Sequence, residues 1–256
     1  MSDIFEQMDD WAKTGETMDY PEREGRTKPL RGIKRADGVE VIEGKDVIME
    51  FDGKACIHSR FCVMGAPDTF LANVEGPWLY PDDTEADLLY AIGRECASGA
   101  IRIHRKDGGQ EEAAPKVNIL RLKENGPLSF RADLRVHDPE GSLSPDNDSE
   151  PFNRTLCRCG KSQNKPYCDG SHHNAGFQAS GEREARDTAM PDKRDGKLDI
   201  RPQPNGPLAV SGHLEICGGT GALIERTNSC RLCRCGASSN KPFCDGSHAK
   251  IGFKAP

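Results

Sequence analysis

Cys157-Arg158-Cys159-Gly160-Lys161-Ser162-Gln163-Asn164-Lys165-Pro166-Tyr167-Cys168-Asp169-Gly170-Ser171-His172 recurs 76 residues later, as Cys233-Arg234-Cys235-Gly236-Ala237-Ser238-Ser239-Asn240-Lys241-Pro242-Phe243-Cys244-Asp245-Gly246-Ser247-His248. Thirteen of the 16 positions are identical, and Gly176-Phe177 returns at Gly252-Phe253 with the same offset. Upstream, Asn125-Gly126-Pro127-Leu128 recurs as Asn205-Gly206-Pro207-Leu208, 80 residues on. The first copy therefore carries four extra residues, in the polar stretch 138–153. Each Asn-Gly pair sits between extended, alternating segments: 117–122 and 128–136, then 198–201 and 208–216. That pattern predicts a β-hairpin or tight β-turn in each copy. Each unit of about 65 residues then reads as strands, a tight loop rich in Gly, Ser, Asn and Pro, and a short helix.

The spacing within the repeat points to metal. One residue separates Cys157 from Cys159, so both thiolates can reach one metal. Asp169 is a good N-cap for a helix that follows it. Cys168 and His172 would then share a helix face at i and i+4 and grip a second metal. Two irons bridged by sulfides, with two protein ligands each, make a [2Fe–2S] rhomb. Cys233 with Cys235, and Cys244 with His248, repeat the arrangement. Among the supporting residues, Gly160 and Gly236 would let backbone N–H groups approach the sulfides. Ser162 and Ser238 would donate to sulfur, and Pro166 and Pro242 would stiffen the return to the third cysteine. Lys165 and Lys241 join Arg158, Lys161 and Arg234 either as basic rims around the sites or as solvated loop charges. Zinc knuckles are the competing reading, although zinc sites usually use Cys-x2–4-Cys spacing.

The pattern Cys-x-Cys-x2-Ser-x3-Pro-x-Cys-Asp-Gly-Ser-His resembles the CDGSH iron–sulfur (NEET) family in both copies, directly over residues 153–179 and 229–254. The resemblance implies a [2Fe–2S] cluster on three cysteines and one histidine. It also implies roles in electron transfer, cluster transfer or iron homeostasis. Family members pair two sites, as homodimers or as tandem motifs, so the two copies here are expected to form an intramolecular pseudo-dimer within a monomer. A histidine in place of a thiolate raises a cluster's potential and can take up a proton in the physiological range. Redox-active, pH-sensitive and somewhat labile clusters are therefore expected at His172 and His248.

Residues 46–104 read differently. Val47 to Phe51 reads as a strand, residues 84–97 as a helix capped by Thr84 with Leu88, Leu89 and Ile92 apolar, and Ile101-Arg102-Ile103 as a short strand. Cys56-Ile57-His58-Ser59-Arg60-Phe61-Cys62 has a serine where a bacterial ferredoxin carries its middle cysteine. With Phe70, Pro77-Trp78 and Cys96-Ala97-Ser98-Gly99-Ala100, the stretch resembles the divergent single-cluster ferredoxin family, departing from it at Ala97, where proline is usual. Cys56, Cys62 and Cys96 suffice for a [3Fe–4S] cluster. A [4Fe–4S] cluster needs a fourth ligand, such as His58, Ser59 or water. The competing reading is a ferredoxin-like module that keeps its fold without a cluster.

The totals fit this picture. Hydrophobic residues make up 35 % and aromatics 6 % of 256 residues, and the mean hydropathy is -0.69. Such a chain favours small modules that need a staple. Its 11 cysteines are an odd number, which disulfides cannot pair completely. The first residues lack the pattern of a signal or transit peptide, and no apolar run approaches a membrane span. A soluble, cytoplasmic, reducing setting is expected, where clustered cysteines bind metal. The net charge is -6, without the basic excess that nucleic acid requires. Residues 1–24 hold eight acidic groups (Asp3, Glu6, Asp9, Asp10, Glu16, Asp19, Glu22, Glu24) and two basic ones, Lys13 and Arg23. They read as a solvated tail with a short helix over 4–11, the alternative being a segment that docks on a basic partner.

The expected organisation is α+β: an acidic extension over 1–45, a ferredoxin-like α+β module over 46–106, and β-rich cluster-binding repeats over 115–179 and 195–256. Polar linkers span 105–116 and 180–197, and each module has a small core stabilised by its cluster. Cys217 and Cys230 match no ligand position and read as free thiols, with a role in cluster exchange the alternative for Cys230, three residues before Cys233. His104, His137, His173 and His213 read as ordinary surface or loop histidines. The leading function is an electron carrier working with a reductase or acceptor. The alternative is a donor of [2Fe–2S] units to apo iron–sulfur proteins, or a redox or iron sensor. No nucleotide loop or catalytic triad suggests an enzyme, so an accessory role beside an oxidoreductase is expected.

Overall fold

A computed structural model describes residues 4–20, 30–109, 112–138, 142 and 152–256. Asp3, Glu22, Arg23, Glu24 and most of the polar stretch 138–153 lie outside the described residues. The chain forms two compact units, Met1–Glu112 and Ala113–Pro256, and is mixed α+β with sheets dominant.

The first unit is a five-stranded antiparallel meander: β1 (Glu16–Tyr20), β2 (Leu30–Lys34), β3 (Glu40–Glu43), β4 (Val47–Phe51) and β5 (Ile101–Arg105). Residues 16–43, read above as part of an acidic extension, thus supply three of the five strands. The apolar run of β4 has a physical cause in the two faces of the sheet, because successive strand residues point to opposite sides. Val47 and Met49 join Ile42, Leu89, Ile92 and Ile101 in one core. Ile48 joins Ile33, Val41 and Met8 in the other. Met8 comes from α1 (Ile4–Thr14), while Leu89 and Ile92 come from α3 (Ala86–Glu95), so a helix covers each face. Thr84 is not the cap of α3: it closes a 3-10 turn at Pro81–Asp83 as that turn's C-cap. The N-cap position falls to Glu85, and the Thr84 hydroxyl accepts from Thr69 at 2.8 Å.

The second unit is one seven-stranded sheet rather than two small ones. The first copy supplies β6 (Ile119–Leu122), β7 (Leu128–Arg131), β8 (Asp133–Val136) and β9 (Asn153–Leu156). The second supplies β10 (Lys197–Pro202), β11 (Leu208–Cys217) and β12 (Leu223–Leu232). Both predicted hairpins are present, β6 with β7 and β10 with β11. Asn125 and Asn205 adopt left-handed φ of 50° and 53° at their turns.

The copies exchange strands reciprocally. β8 of the first runs parallel to β10 of the second, with Arg135 opposite Asp199. The C-terminal half of β11 runs parallel to β6, with Glu215 opposite Ile119. These two registers map onto each other under the 80-residue offset, so a pseudo-twofold relates the copies. β11 makes in one strand what β7 and β8 make in two. A bulge between Ser211 and Leu214 bends it, with Gly212 at φ +122°. Fully buried Asn118 stitches the exchange: its amide donates to the Gly196 and His213 carbonyls at 2.8 and 3.0 Å, and its oxygen accepts from Asp133 N–H at 3.0 Å. One shared core of fifteen buried residues, from Leu120 to Leu232, replaces the separate small cores expected above. At roughly 1.5–3 kcal/mol per buried large side chain, that shared core outweighs what either copy would bury alone.

Candidate metal centres

In each copy the Cys-x-Cys segment leaves the last strand of the sheet, and the short helix after Cys-Asp-Gly brings the histidine back to it. The helices are α4 (Ser171–Asn174) and α5 (Ser247–Lys250). The glycine after Asp169 takes the N-cap position with a left-handed φ of 83°. Asp169 acts one residue earlier than expected, accepting the Ser171 and Gln163 N–H groups at 3.0 and 2.7 Å. Asp245 accepts from Ser247 and Ser239 in the same way.

The donors come together in the predicted pairs. Cys157 Sγ lies 3.9 Å from Cys159 Sγ, and Cys168 Sγ lies 3.4 Å from His172 Nδ1. In the second copy the separations are 3.7 Å for Cys233 and Cys235 and 3.3 Å for Cys244 and His248. Among the described residues, no three Cys, His, Asp or Glu side chains close on a single ion position. Backbone amides point at the sulfurs: Lys161 N–H at Cys159, Gly170 N–H at Cys168 and Gly246 N–H at Cys244, at 3.4, 3.5 and 3.4 Å. A hydrogen bond from Cys159 brings the Cys157 thiol down to about 6, with the Ser162 and Gly160 amides adding to it. Cys159 is raised in exchange, so one thiolate of the pair is present near neutral pH. Burial pushes Cys168 up to about 11. Burial, with His173 alongside, holds the His172 imidazole below its ordinary value, hence neutral and able to ligate.

Three sequence expectations change here, those for the serines, the arginines and His137. The Ser162 and Ser238 hydroxyls do not donate to sulfur. They donate to the Tyr167 and Phe243 carbonyls at 2.7 Å each, closing the loop over which Lys165 and Lys241 bond the Ser162 and Ser238 carbonyls. Gly160 N–H does act on the Cys157 sulfur, and a second constraint falls on Gly160 and Gly236: their φ values are +79° and +84°, and a Cβ at either would sit 2.6 Å from the carbonyl oxygen of Cys235 or Cys159 in the other copy. Cys159 and Cys235 form an antiparallel bridge at that contact.

Arg158 and Arg234 form no rim, being 2 % and 1 % exposed. Arg158 donates to the Lys123 and Ser180 carbonyls at 3.1 and 2.7 Å. Arg234 donates to Gly206, Gln203 and Pro256 carbonyls at 2.9, 2.7 and 2.5 Å. Each clamps its ligand loop to the Asn-Gly hairpin and to the chain after the helix. Burial lowers the pKa of each guanidinium, against the pull of the first cysteine of the other copy, Cys233 for Arg158 and Cys157 for Arg234. His137 is buried and bonded to Asp199 at 2.7 Å, not a surface residue. His173 stacks on His172 with ring centroids 4.1 Å apart. Pro166 and Pro242 supply carbonyls that accept from Cys157 and Cys233 N–H at 2.8 Å each.

Residues 180–197, read as a linker, strap the second copy. Arg183 donates to the Asn240 and Lys241 carbonyls at 3.1 and 2.7 Å, and Arg186 pairs with Glu225 at 3.0 Å. Cys217 and Cys230 are free thiols. Burial raises both, Cys230 to about 12, and Cys230 packs on the shared core.

In the first unit, Cys56, Cys62 and Cys96 line one cavity of about 500 Å³ with His58, Ser59 and apolar walls that include Phe51, Leu71 and Trp78. His58 and Arg60 adopt left-handed φ of 53° and 63° in the loop, and α2 (Phe61–Gly65) carries Cys62. His58 N–H donates to Cys56 Sγ at 3.4 Å, and His58 Nδ1 stands 4.0 Å from that sulfur. Burial raises the Cys56 and Cys62 thiols, and Cys96 adds to both. Three soft donors and one imidazole around an apolar-walled cavity suit an iron–sulfur cluster.

Comparison with known families agrees with this geometry. The model for the iron-binding zinc finger of CDGSH type matches residues 125–173 and 205–249. The model for the divergent 4Fe-4S mono-cluster matches residues 42–106. No curated protein and no solved structure matches the chain.

Proposed function

From a chain that carries two CDGSH-type iron-binding domains behind a divergent 4Fe-4S mono-cluster domain, we propose a protein that passes single electrons through two [2Fe–2S] clusters. Each cluster is held by three cysteines and one histidine. The observation that carries this reading is the division of every donor set into two pairs, thiol with thiol and thiol with imidazole. A tetrahedral zinc site needs four donors on one centre, whereas a two-iron rhomb takes two donors at each end. Each cluster, when bound, supplies a one-electron couple. The chain holds its ligands, aims amide N–H groups at the sulfurs and buries two guanidinia beside the sites, all of which favour the more negative reduced state. The redox partner is a protein reductase or acceptor. Handover of whole clusters to apo-proteins is the second reading, favoured by the partial exposure of Cys244 and His248.

Anaerobic iron and sulfide counts with EPR test the proposal. Four irons and four sulfides in the second unit, with rhombic reduced signals, are expected; a colourless zinc protein would overturn it. No helix among the described residues is long and apolar enough to cross a membrane.

Replacing both His172 and His248 by Cys is expected to lower the potentials by roughly 100–300 mV, judged from the gap between histidine-ligated and all-cysteine two-iron centres. The pH dependence of the potential should flatten; voltammetry between pH 5 and 9 that shows an unchanged slope would rule out the histidines as its source. Iron retention has its own pH sign. Because the folded His172 imidazole lies below its ordinary 6.5, it stays neutral at neutral pH. Ligation persists above that range and fails as pH falls through the lowered value. Iron release to a chelator should therefore accelerate on the acid side of 6.5, and a rate that stays flat until the protein unfolds in acid would contradict this.

The first-unit cavity fits a third cluster: [3Fe–4S] on Cys56, Cys62 and Cys96, or [4Fe–4S] with His58 or Ser59 as the fourth donor. Cys96→Ala is expected to remove three or four irons per chain and leave the other four in place. Unchanged iron content would mean that the cavity carries no cluster.

A further inference from the structure

The two CDGSH sites are alike in ligands and unlike in what surrounds them. In the first site Cys159, Cys168 and His172 are 7 %, 2 % and 6 % exposed. Their counterparts Cys235, Cys244 and His248 are all partly open to solvent. Part of the difference is one residue: His173 lays its ring over His172, and Ala249 stands at the matching position. A groove of about 340 Å³ reaches Cys244 and His248 in the second site.

The rims differ as well. Thr155, Asn174 and Gln178 of the first copy correspond to Arg231, Lys250 and Lys254 of the second, and these three cations are exposed. Ala175 corresponds to Ile251, which is 54 % exposed beside α5. The first copy has exposed Lys161 where the second has Ala237, so the more open site still carries the larger set of exposed cations and, in Ile251, one bare aliphatic side chain. Electrostatic complementarity of that kind steers encounter and orients a partner.

We propose that the second site is the docking and exchange port of the protein, recognising a redox protein with an acidic face, while the first site is a shielded store. The inference rests on the cluster reading above. Electrons enter and leave through the His248 edge, over the rim of Arg231, Lys250, Lys254 and Ile251. His173 keeps partners off the first site by covering its histidine.

The test is stopped-flow oxidation of the dithionite-reduced holoprotein by hexacyanoferrate(III), a small anion that stands in for an acidic partner. Each reduced [2Fe–2S] centre gives one electron, and one hexacyanoferrate(III) becomes hexacyanoferrate(II). Two phases of equal amplitude are expected from the CDGSH-type centres, at least tenfold apart. The fast phase should slow with added salt and in R231E/K250E/K254E, while the slow phase holds. With hexaammineruthenium(III), a cation, the gap should narrow. His173→Ala should speed the slow phase several-fold, and His173→Phe, which keeps a ring there, should restore it. One phase for both centres, or a fast phase that ignores both the triple charge reversal and Ala249→Phe, would overturn the port. A protein without iron would instead overturn the cluster reading and leave nothing to oxidise. A fast phase that survives R231E/K250E/K254E but is lost on adding a ring with Ala249→Phe would assign access to open space alone and sink the acidic partner.

Discussion

Gly160→Ala is expected to damage both CDGSH-type sites at once. The added Cβ would lie 2.6 Å from the Cys235 carbonyl oxygen and 2.9 Å from its carbon, and the residue sits at φ +79°. A left-handed alanine costs roughly 1–2 kcal/mol by itself. The clash meets backbone, which cannot swing away as a flexible side chain would, so a total of about 3–5 kcal/mol is expected. The displaced carbonyl belongs to a ligand of the other copy. Iron should therefore fall towards zero in the second unit, not to half, and Gly236→Ala should do the same from the other side against Cys159. Iron counts and thermal melts of the two variants check this. Loss of only two irons, confined to the mutated copy, would show that the Cys159–Cys235 bridge does not couple the sites.

Arg234→Ala is the second large effect. The side chain is 1 % exposed and holds the carbonyls of Gln203, Gly206 and Pro256, with its guanidinium over Phe253 at 5.7 Å. Truncation strands three acceptors and opens a cavity, a loss of about 3–5 kcal/mol for a buried, hydrogen-bonded cation. On a domain of this size that is a fall of roughly 10 °C in melting temperature. Arg234→Lys should rescue little, because one ammonium cannot reproduce a planar fork spread over three carbonyls. Differential scanning calorimetry on the iron-loaded protein reads both. A lysine variant with wild-type stability would mean that charge alone, not the fork, matters.

The sequence repeat made the ligand pairing legible because i, i+2 and i, i+4 separations are local, and local geometry follows from a few dihedrals. The hairpins were legible for the same reason. What escaped was whatever depends on contacts distant along the chain. Arg158 and Arg234 read as loop charges because nothing nearby shows two carbonyls converging on one and three on the other from a hairpin and a later segment. Gly160 and Gly236 were read for their amides alone, when the atoms that crowd them lie 75 and 77 residues away in the other copy. The strands over 16–43 were masked by their charge: alternating Arg31, Lys34, Glu40 and Glu43 pair across β2 and β3 with apolar Ile33, Val41 and Ile42 between them. His173 carried no signal beyond its place next to a ligand. Its difference from Ala249 was visible but acquired meaning only through the ring stack.

The reciprocal exchange of strands also sets an order in time. Translation releases β6, β7, β8 and β9 before β10 or β11 exists, so β6 leaves the ribosome with one flank unpaired and β8, which pairs with β10, with no strand beside it. About 60 further residues must be made before β10 can cover β8, and about 20 more before the far half of β11 reaches β6. At roughly 5–20 residues per second that wait lasts several seconds. Cys157, Cys159, Cys168 and His172 are already synthesised during it, while the bridge partner Cys235 is not. The nascent first half thus offers a complete set of iron donors on an incomplete sheet. In the order of synthesis these side chains come before the strands that close the sheet beside them.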